Sequence, residues 1–219
     1  MKDKETGATK STLFSLYFHE LGWLSSGIKA NCEIIFAETP VPEKGYYIKV
    51  LPEIHALIVA VLMNAAHIRK LLYTSETRYK NESVSVYKLR QQRSKILRRA
   101  LSGIKLEEIL NHKLRNSLEH FDEYLDENIV RLTEKGPPPA TYAAYNMVLS
   151  HREIFKPEVY PIRLYIASER KFYNMRFSID VGEIYDEACA ILERLHELGV
   201  FPRRGPAGVM IPLTDTGAE

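Results

Sequence analysis

The sequence predicts a mainly α protein, an antiparallel helical bundle that carries a small C-terminal β-hairpin and a final helix. Three observations lead there. Apolar residues recur at three- and four-residue spacing through most of the first 134 residues, prolines and glycines punctuate those segments, and only one later stretch alternates apolar and polar side chains. A chain of 219 residues is long enough to bury a conventional core, as one large domain or as a core with an appendage.

Ser11 or Thr12 caps a first helix carrying Leu13, Leu16, Tyr17, Leu21 and Leu24 on one stripe and continuing towards Phe36. Gly22 and Gly27 within it serve either as kinks or as points of close packing. Pro40, Pro42 and Gly45 break the chain, and Ile54, Leu57, Ile58, Val61, Leu62, Ala65, Ile68 and Leu72 form the stripe of a second helix. A polar connection from Tyr73 to Glu82 leads into a third helix over Ser83 to Leu101, stopped by Ser102-Gly103. Leu106 to about Glu134 is a fourth helical region, with Leu110, Leu114, Leu118, Phe121, Leu125, Ile129 and Leu132 on one side. Asn111 is placed to cap a break within it, which puts Arg115 near a first turn.

Gly136-Pro137-Pro138-Pro139 ends the helical half. After a linking stretch through Tyr145 and His151, the segments Ile162 to Ala167 and Phe172 to Ile179 alternate around Ser168-Glu169-Arg170-Lys171 and read as the hairpin. Ile184, Ala188, Ile191, Leu192 and Leu195 mark the final helix, ending at Gly199. The expected organisation is a flexible N-terminus over 1–10, the bundle over 11–136, and a linker, hairpin and C-terminal helix packed on it over 137–200. A flexible tail over 201–219 completes it.

Thirty Lys and Arg against 28 Asp and Glu leave a formal charge of +2. No global basic excess announces a nucleic-acid binder, so such a role has to come from local patches. Cys32 and Cys189 match neither a disulfide framework nor a zinc signature, which fits a reducing compartment. The polar start of the chain lacks the apolar core of a secretion signal, and the run Ala56 to Met63 is shorter than the roughly 20 residues a bilayer span takes. A soluble cytoplasmic protein without membrane contact is expected.

One cluster suggests chemistry: Arg115, Asn116 and His120 in the run K-L-R-N-S-L-E-H-F-D-E. Arginine brings a permanent cation with a bidentate fork for phosphate oxygens, and histidine exchanges its proton near neutral pH. Arg115 and His120 lie about 140° apart on an ideal helix, so one copy does not bring their heads together. Asn116 and His120, four apart, share a face. The Arg-polar-x3-His spacing resembles the signature of the HEPN superfamily, whose characterised members are largely metal-independent ribonucleases. Leu101-Ser102-Gly103-Ile104 through Glu107, Glu119-His120-Phe121-Asp122-Glu123 and Ala65 to Leu72 resemble uncharacterised bacterial proteins with a HEPN-like helical core.

That resemblance implies a HEPN-like bundle, a homodimer with a composite site, and no cofactor or metal. By it, His120 exchanges a proton with the ribose 2′-hydroxyl or the leaving oxygen, Arg115 steadies charge on the phosphate, and Asn116 orients the histidine or the substrate. A toxin or defence endoribonuclease, with a cognate antitoxin protein among its partners, is the leading expectation. The alternative is a non-catalytic module that binds a nucleotide, RNA or a partner protein. Glu119 and Glu123 put negative charge beside the motif and weigh towards the alternative. Candidate substrate contacts are His112 and Lys113 beside the motif and Arg93, Arg98 and Arg99 on the third helix, whose cations suit an RNA track. Tyr142, Tyr145, Tyr160, Tyr165 and Tyr173 are placed either to stack bases or to pack the hairpin.

Overall fold

A computed structural model of the chain describes residues 13–111, 113–134 and 142–203, with 208 and 210. Its helices are α1 (Leu16–Glu38), α2 (Pro52–Leu72), α3 (Val84–Ala100), α4 (Lys113–Glu119), α5 (Phe121–Glu134) and α6 (Val181–Glu197). The strands are β1 (Ile48–Lys49), β2 (Ala143–Leu149), β3 (Tyr160–Ile166), β4 (Lys171–Asn174) and β5 (Phe177–Asp180). They form one five-stranded mixed sheet in the order β1-β2-β3-β4-β5. The predicted mainly α bundle with a small hairpin is therefore corrected to an α/β fold, and the HEPN-like bundle is corrected with it.

The expected hairpin is present as β3 and β4, paired antiparallel, but its second arm turns again at Met175-Arg176 into β5. The larger correction is β2, which occupies the stretch taken as a linker and pairs parallel to β3. Its alternation is broken in sequence for a visible reason. Asn146 and Arg163 stand across from each other with φ of 51° and 56°, and the register steps over both, from Tyr145↔Ile162 to Met147↔Leu164. The left-handed pair keeps the register but turns the pleat over, so Ala144 and Leu149 share one sheet face while Val148 lies on the other, and a strict period-2 reading fails. His55 Nε2 lies 2.8 Å from the Arg163 carbonyl and ties α2 to this irregular backbone.

The core lies between one face of the sheet, through Val148, Tyr165, Phe172 and Ile179, and the buried sides of α1, α2 and α6. Ile28, Cys32 and Ile35 of α1, Ile58, Val61 and Ile68 of α2, and Ile184, Ile191 and Leu195 of α6 have no measurable exposure. Fully burying such a side chain is worth about 1.5–3 kcal/mol. Both α1 glycines mark close packing: a Cβ at Gly22 would overlap the Phe201 ring, and one at Gly27 would lie 2.7 Å from Asn64 Nδ2. By length and composition α2 passes the test for a membrane span, yet Ile54, Ile58, Val61, Leu62, Ala65, Ile68 and Leu72 are buried in this core. It is a core helix. The other sheet face carries a smaller cluster of Ala144, Leu149, Leu164 and Ile166 under the 150–159 connection.

Local signals account for the helix ends. The Ser83 hydroxyl accepts from the Val86 N–H at 3.2 Å, and the Asp180 carboxylate caps α6 by accepting from the Glu183 N–H at 2.9 Å. Gly199, at φ 67°, follows α6 as the sequence leads one to expect. The Ser11 and Thr12 caps and the proline run 137–139 lie outside the described residues.

Candidate functional site

The fourth helical region is not one helix. Residues 106–111 lie outside any helix, with a turn at 108–110, and the Glu187 carboxylate, buried on α6, accepts from the backbone N–H groups of Glu107, Glu108 and Ile109 at 2.5, 2.9 and 2.8 Å. Three amide donors on one carboxylate fix the approach to the motif. Asn111 Oδ1 then accepts from the Lys113 N–H at 3.2 Å, so the expected cap forms and Arg115 falls in the first turn of α4. His112 and the side chain of Arg115 lie outside the described residues.

His120 sits in the turn between α4 and α5. Its N–H donates to the Asn116 carbonyl at 3.0 Å, and its own carbonyl accepts from the Tyr124 N–H at 3.1 Å, so one helical bond remains on each side of the break. Asn116 and His120 line a shared groove of about 480 Å³ with Glu123, Tyr124, Glu127 and Arg176. The shared face read from their spacing is thus realised. His120 Nδ1 lies 3.4 Å from Glu123 Oε1, and Arg176 Nη2 is 3.4 Å from Glu127 Oε2. A carboxylate at one ring nitrogen orients the imidazole and leaves the other to exchange a proton. Yet both carboxylates also set negative charge where a polyanion would have to lie.

Beneath the motif runs a buried polar layer. Asn174 Nδ2 donates to the Ser117 hydroxyl at 3.0 Å and to its carbonyl at 3.3 Å. Asn128 donates to the Tyr124 carbonyl at 2.6 Å and accepts from the Tyr160 hydroxyl. Sequence reasoning missed Arg176 and Arg163, the latter with its guanidinium 3.9 Å over the Phe121 ring next to His120. Arg176 stands in the unforeseen β4–β5 turn, and Arg163 in a strand at positive φ. Neither carries a local sequence signal.

The arginines of α3 divide into two kinds. Arg90 is 7% exposed and donates to both Glu82 oxygens, at 2.7 and 2.9 Å, to the Thr74 hydroxyl and to the Ser75 and Thr77 carbonyls. Its guanidinium holds the Glu82 carboxyl below the usual carboxylate range. Arg93 donates to the Leu71 and Lys70 carbonyls at 3.2 and 3.0 Å, and the Ser94 hydroxyl to Leu72 at 2.5 Å, so α3 caps the end of α2. Both cations bond to the protein itself, so Arg93, expected as a substrate contact, already donates twice to the end of α2. Lys88, Gln92, Lys95 and Arg99 are exposed at helical spacing and form one outward stripe, with Arg98 beside it.

Charge makes the division sharper. Residues 69–100 hold ten Lys or Arg against two Glu, a local charge of +8 in a chain whose total is +2. Two exposed tyrosines stand beside α3, on the side of Arg90 and Arg93. Tyr73 is 47% exposed with Arg98 5.3 Å from its ring centre, and Tyr79 is 54% exposed with Arg90 at 4.2 Å. Both line a hollow of about 540 Å³ with His67, Lys70 and Arg93. Of the tyrosines near the hairpin, Tyr165 is buried and Tyr160 nearly so, while Tyr173 donates to Glu169. Those three pack; Tyr142 and Tyr145 are exposed.

A third hollow, of about 610 Å³ between residues 103–108 and α6, is strongly acidic, with Glu107, Glu108, Asp180, Glu183, Asp186 and Glu187 in its wall. Burial raises the Glu108 carboxyl above its ordinary value. Among the described residues, no three His, Cys, Asp or Glu side chains converge as metal ligands. Comparison with protein-family models, with curated proteins and with solved structures finds no match to this chain.

Proposed function

We propose that this chain binds single-stranded RNA along the outer face of α3 and the connection before it. The local charge of +8 over residues 69–100 carries this reading. Lys88, Lys95, Arg98 and Arg99 supply phosphate contacts at helical spacing, and the exposed rings of Tyr73 and Tyr79 offer stacking platforms. Fluorescence anisotropy with a labelled single-stranded RNA tests it. Four phosphate contacts give a log–log salt slope of about −3, and the triple variant Lys88→Glu, Lys95→Glu, Arg99→Glu weakens binding by about 100-fold. Equal affinity in the triple variant sinks the proposal, and a DNA strand of the same sequence reports whether the 2′-hydroxyl matters.

Cleavage of that RNA at His120 is the second reading, favoured by the groove that holds Asn116, His120 and Arg176 with a carboxylate on the imidazole. There His120 takes the 2′-hydroxyl proton or protonates the leaving 5′-oxygen, and the ends produced are 2′,3′-cyclic phosphates. Incubation with total RNA in EDTA, beside His120→Ala, decides between binding and cleavage. Loss of cyclic-phosphate ends in the variant supports the enzyme; intact RNA with both proteins leaves a binding module.

A further inference from the structure

We infer that the hollow between α1, the end of α2, the connection after it and α3 binds a nucleoside monophosphate through its ring, its phosphate and its hydroxyl or amino donors. The site rests on the RNA reading for Tyr73 as a stacking ring, and the outer cations Lys88, Lys95 and Arg99 take no part in its wall. Its volume of about 540 Å³ lies within the roughly 300–1,000 Å³ of small-ligand pockets. The walls are held from inside. Arg93 donates to the Lys70 and Leu71 carbonyls, and Arg90 to the Thr74 hydroxyl and the Ser75 and Thr77 carbonyls. A ligand therefore meets a shape fixed before it arrives, which lowers the ordering cost of binding.

Each part of the hollow suits a different part of such a ligand, and the rings come first. Tyr73 is backed by Arg98, which stands outside the hollow with its guanidinium 5.3 Å from the ring centre. The Arg90 guanidinium lies 4.2 Å from the Tyr79 ring centre and 5.1 Å from that of Tyr87, so it packs against both and holds the Tyr79 ring in place. The two exposed rings share the wall with Leu24 and Leu71. A flat base covers such an aromatic and apolar lining by stacking.

Charge defines the other two contacts. His67 and Lys70, three apart on α2 and both exposed, line the hollow, and neither side chain enters an ion pair among the described residues. They supply an imidazole N–H and an ammonium on one helix face, which are donors a phosphate accepts from. The C-terminal end of a helix ordinarily repels an anion, but the last carbonyls of α2 are taken up by Arg93 and the Ser94 hydroxyl. On α1, Glu20 lines the same hollow without pairing with Lys70. A carboxylate only accepts hydrogen bonds, so it suits ribose hydroxyls or an exocyclic amine and offers inorganic phosphate nothing. A ring, an anion and neutral donors in one molecule describe a nucleotide. A free nucleotide and the phosphorylated end of an RNA strand share that chemistry.

Isothermal titration calorimetry of the full chain with AMP, GMP, CMP and UMP tests the inference. At least one of them is expected to bind one to a chain, about tenfold or more tighter than its nucleoside or inorganic phosphate. Tyr73→Ala and Lys70→Gln, both at exposed positions, should each weaken it about tenfold with unchanged circular dichroism, while the triple variant Lys88→Glu, Lys95→Glu, Arg99→Glu binds it as the unaltered chain does. RNA strands with a 5′-phosphate, a 3′-phosphate or neither then separate the sources. Tighter binding of one phosphorylated end, competed by the mononucleotide, makes the ligand a strand end. RNA affinity indifferent to the ends, or no RNA affinity beside a bound mononucleotide, makes it a free nucleotide, and the second result sinks the RNA reading without touching this site. No binding of any of the four mononucleotides, equal affinity for inorganic phosphate, or undiminished binding by both Tyr73→Ala and Lys70→Gln would each overturn it.

Discussion

Residues 69–100 and residues 113–134 both display arginine on helices, but the first stretch carries +8 and the second −3, from six acids against three bases. In the first, internal needs are met by Arg90 and Arg93, and cations remain over for the outer stripe. In the second, the basic side chains of the groove lie beside carboxylates, Arg176 at Glu127 and His120 at Glu123. A residue type is available to a ligand only after the fold's own unpaired carbonyls and carboxylates have been satisfied. The motif helices offer a proton carrier; α3 offers the electrostatics.

The largest test of that contrast concerns how each region is held. Glu187→Ala strips the acceptor from three backbone N–H groups, and should cost about 3 kcal/mol or more in chemical unfolding, with loss of amide-exchange protection centred on residues 106–120. If protection falls equally across α3, the two regions are not separately organised. Next in size is a charge exchange read by RNA affinity: Lys95→Glu should weaken binding about tenfold, whereas Glu127→Gln should strengthen it two- to threefold at most. A greater response at Glu127 than at Lys95 would move the binding surface to the motif groove.

Acid should act on the first region before the second. Arg90 holds the Glu82 carboxyl below its ordinary value of 4.5, so its stabilising contribution is complete above that value and is lost as the pH falls through the folded one. Hydrogen exchange below about pH 4.5 should therefore open the 73–83 connection while α4 and α5 keep their protection, and Arg90→Met should abolish that pH dependence. The smallest effect is expected from Tyr160→Phe, which removes the hydrogen bond to Asn128 beneath α5 and should lower stability by about 1 kcal/mol without altering RNA affinity.

Legibility in the sequence followed the range of the interaction. The helices α1, α2, α3 and α6 were read from apolar period and caps, and the β3–β4 pair from alternation, because neighbours within a few residues decide those patterns. Asn116 and His120 were paired correctly by a spacing of four. The strand β2 was not legible, since Asn146 at φ 51° breaks its alternation and its partner β3 lies 17 residues further on. Nor was the break of the motif helix at His120, where α4 is anchored from below by Asn174 and its approach by Glu187, both distant in sequence.

What the amino-acid sequence determined by itself is a set of amphipathic segments, the Arg-Asn-His spacing and the local charge imbalance. Each depends on residue order alone. The tertiary structure decided that these segments surround a five-stranded mixed sheet, that Arg90 and Arg93 are consumed as internal donors while Lys88, Lys95 and Arg99 stay free, and that His120 faces Glu123. The physical reason is shared by all three: backbone pairing and side-chain satisfaction depend on partners tens of residues away, and no local pattern encodes which partner arrives.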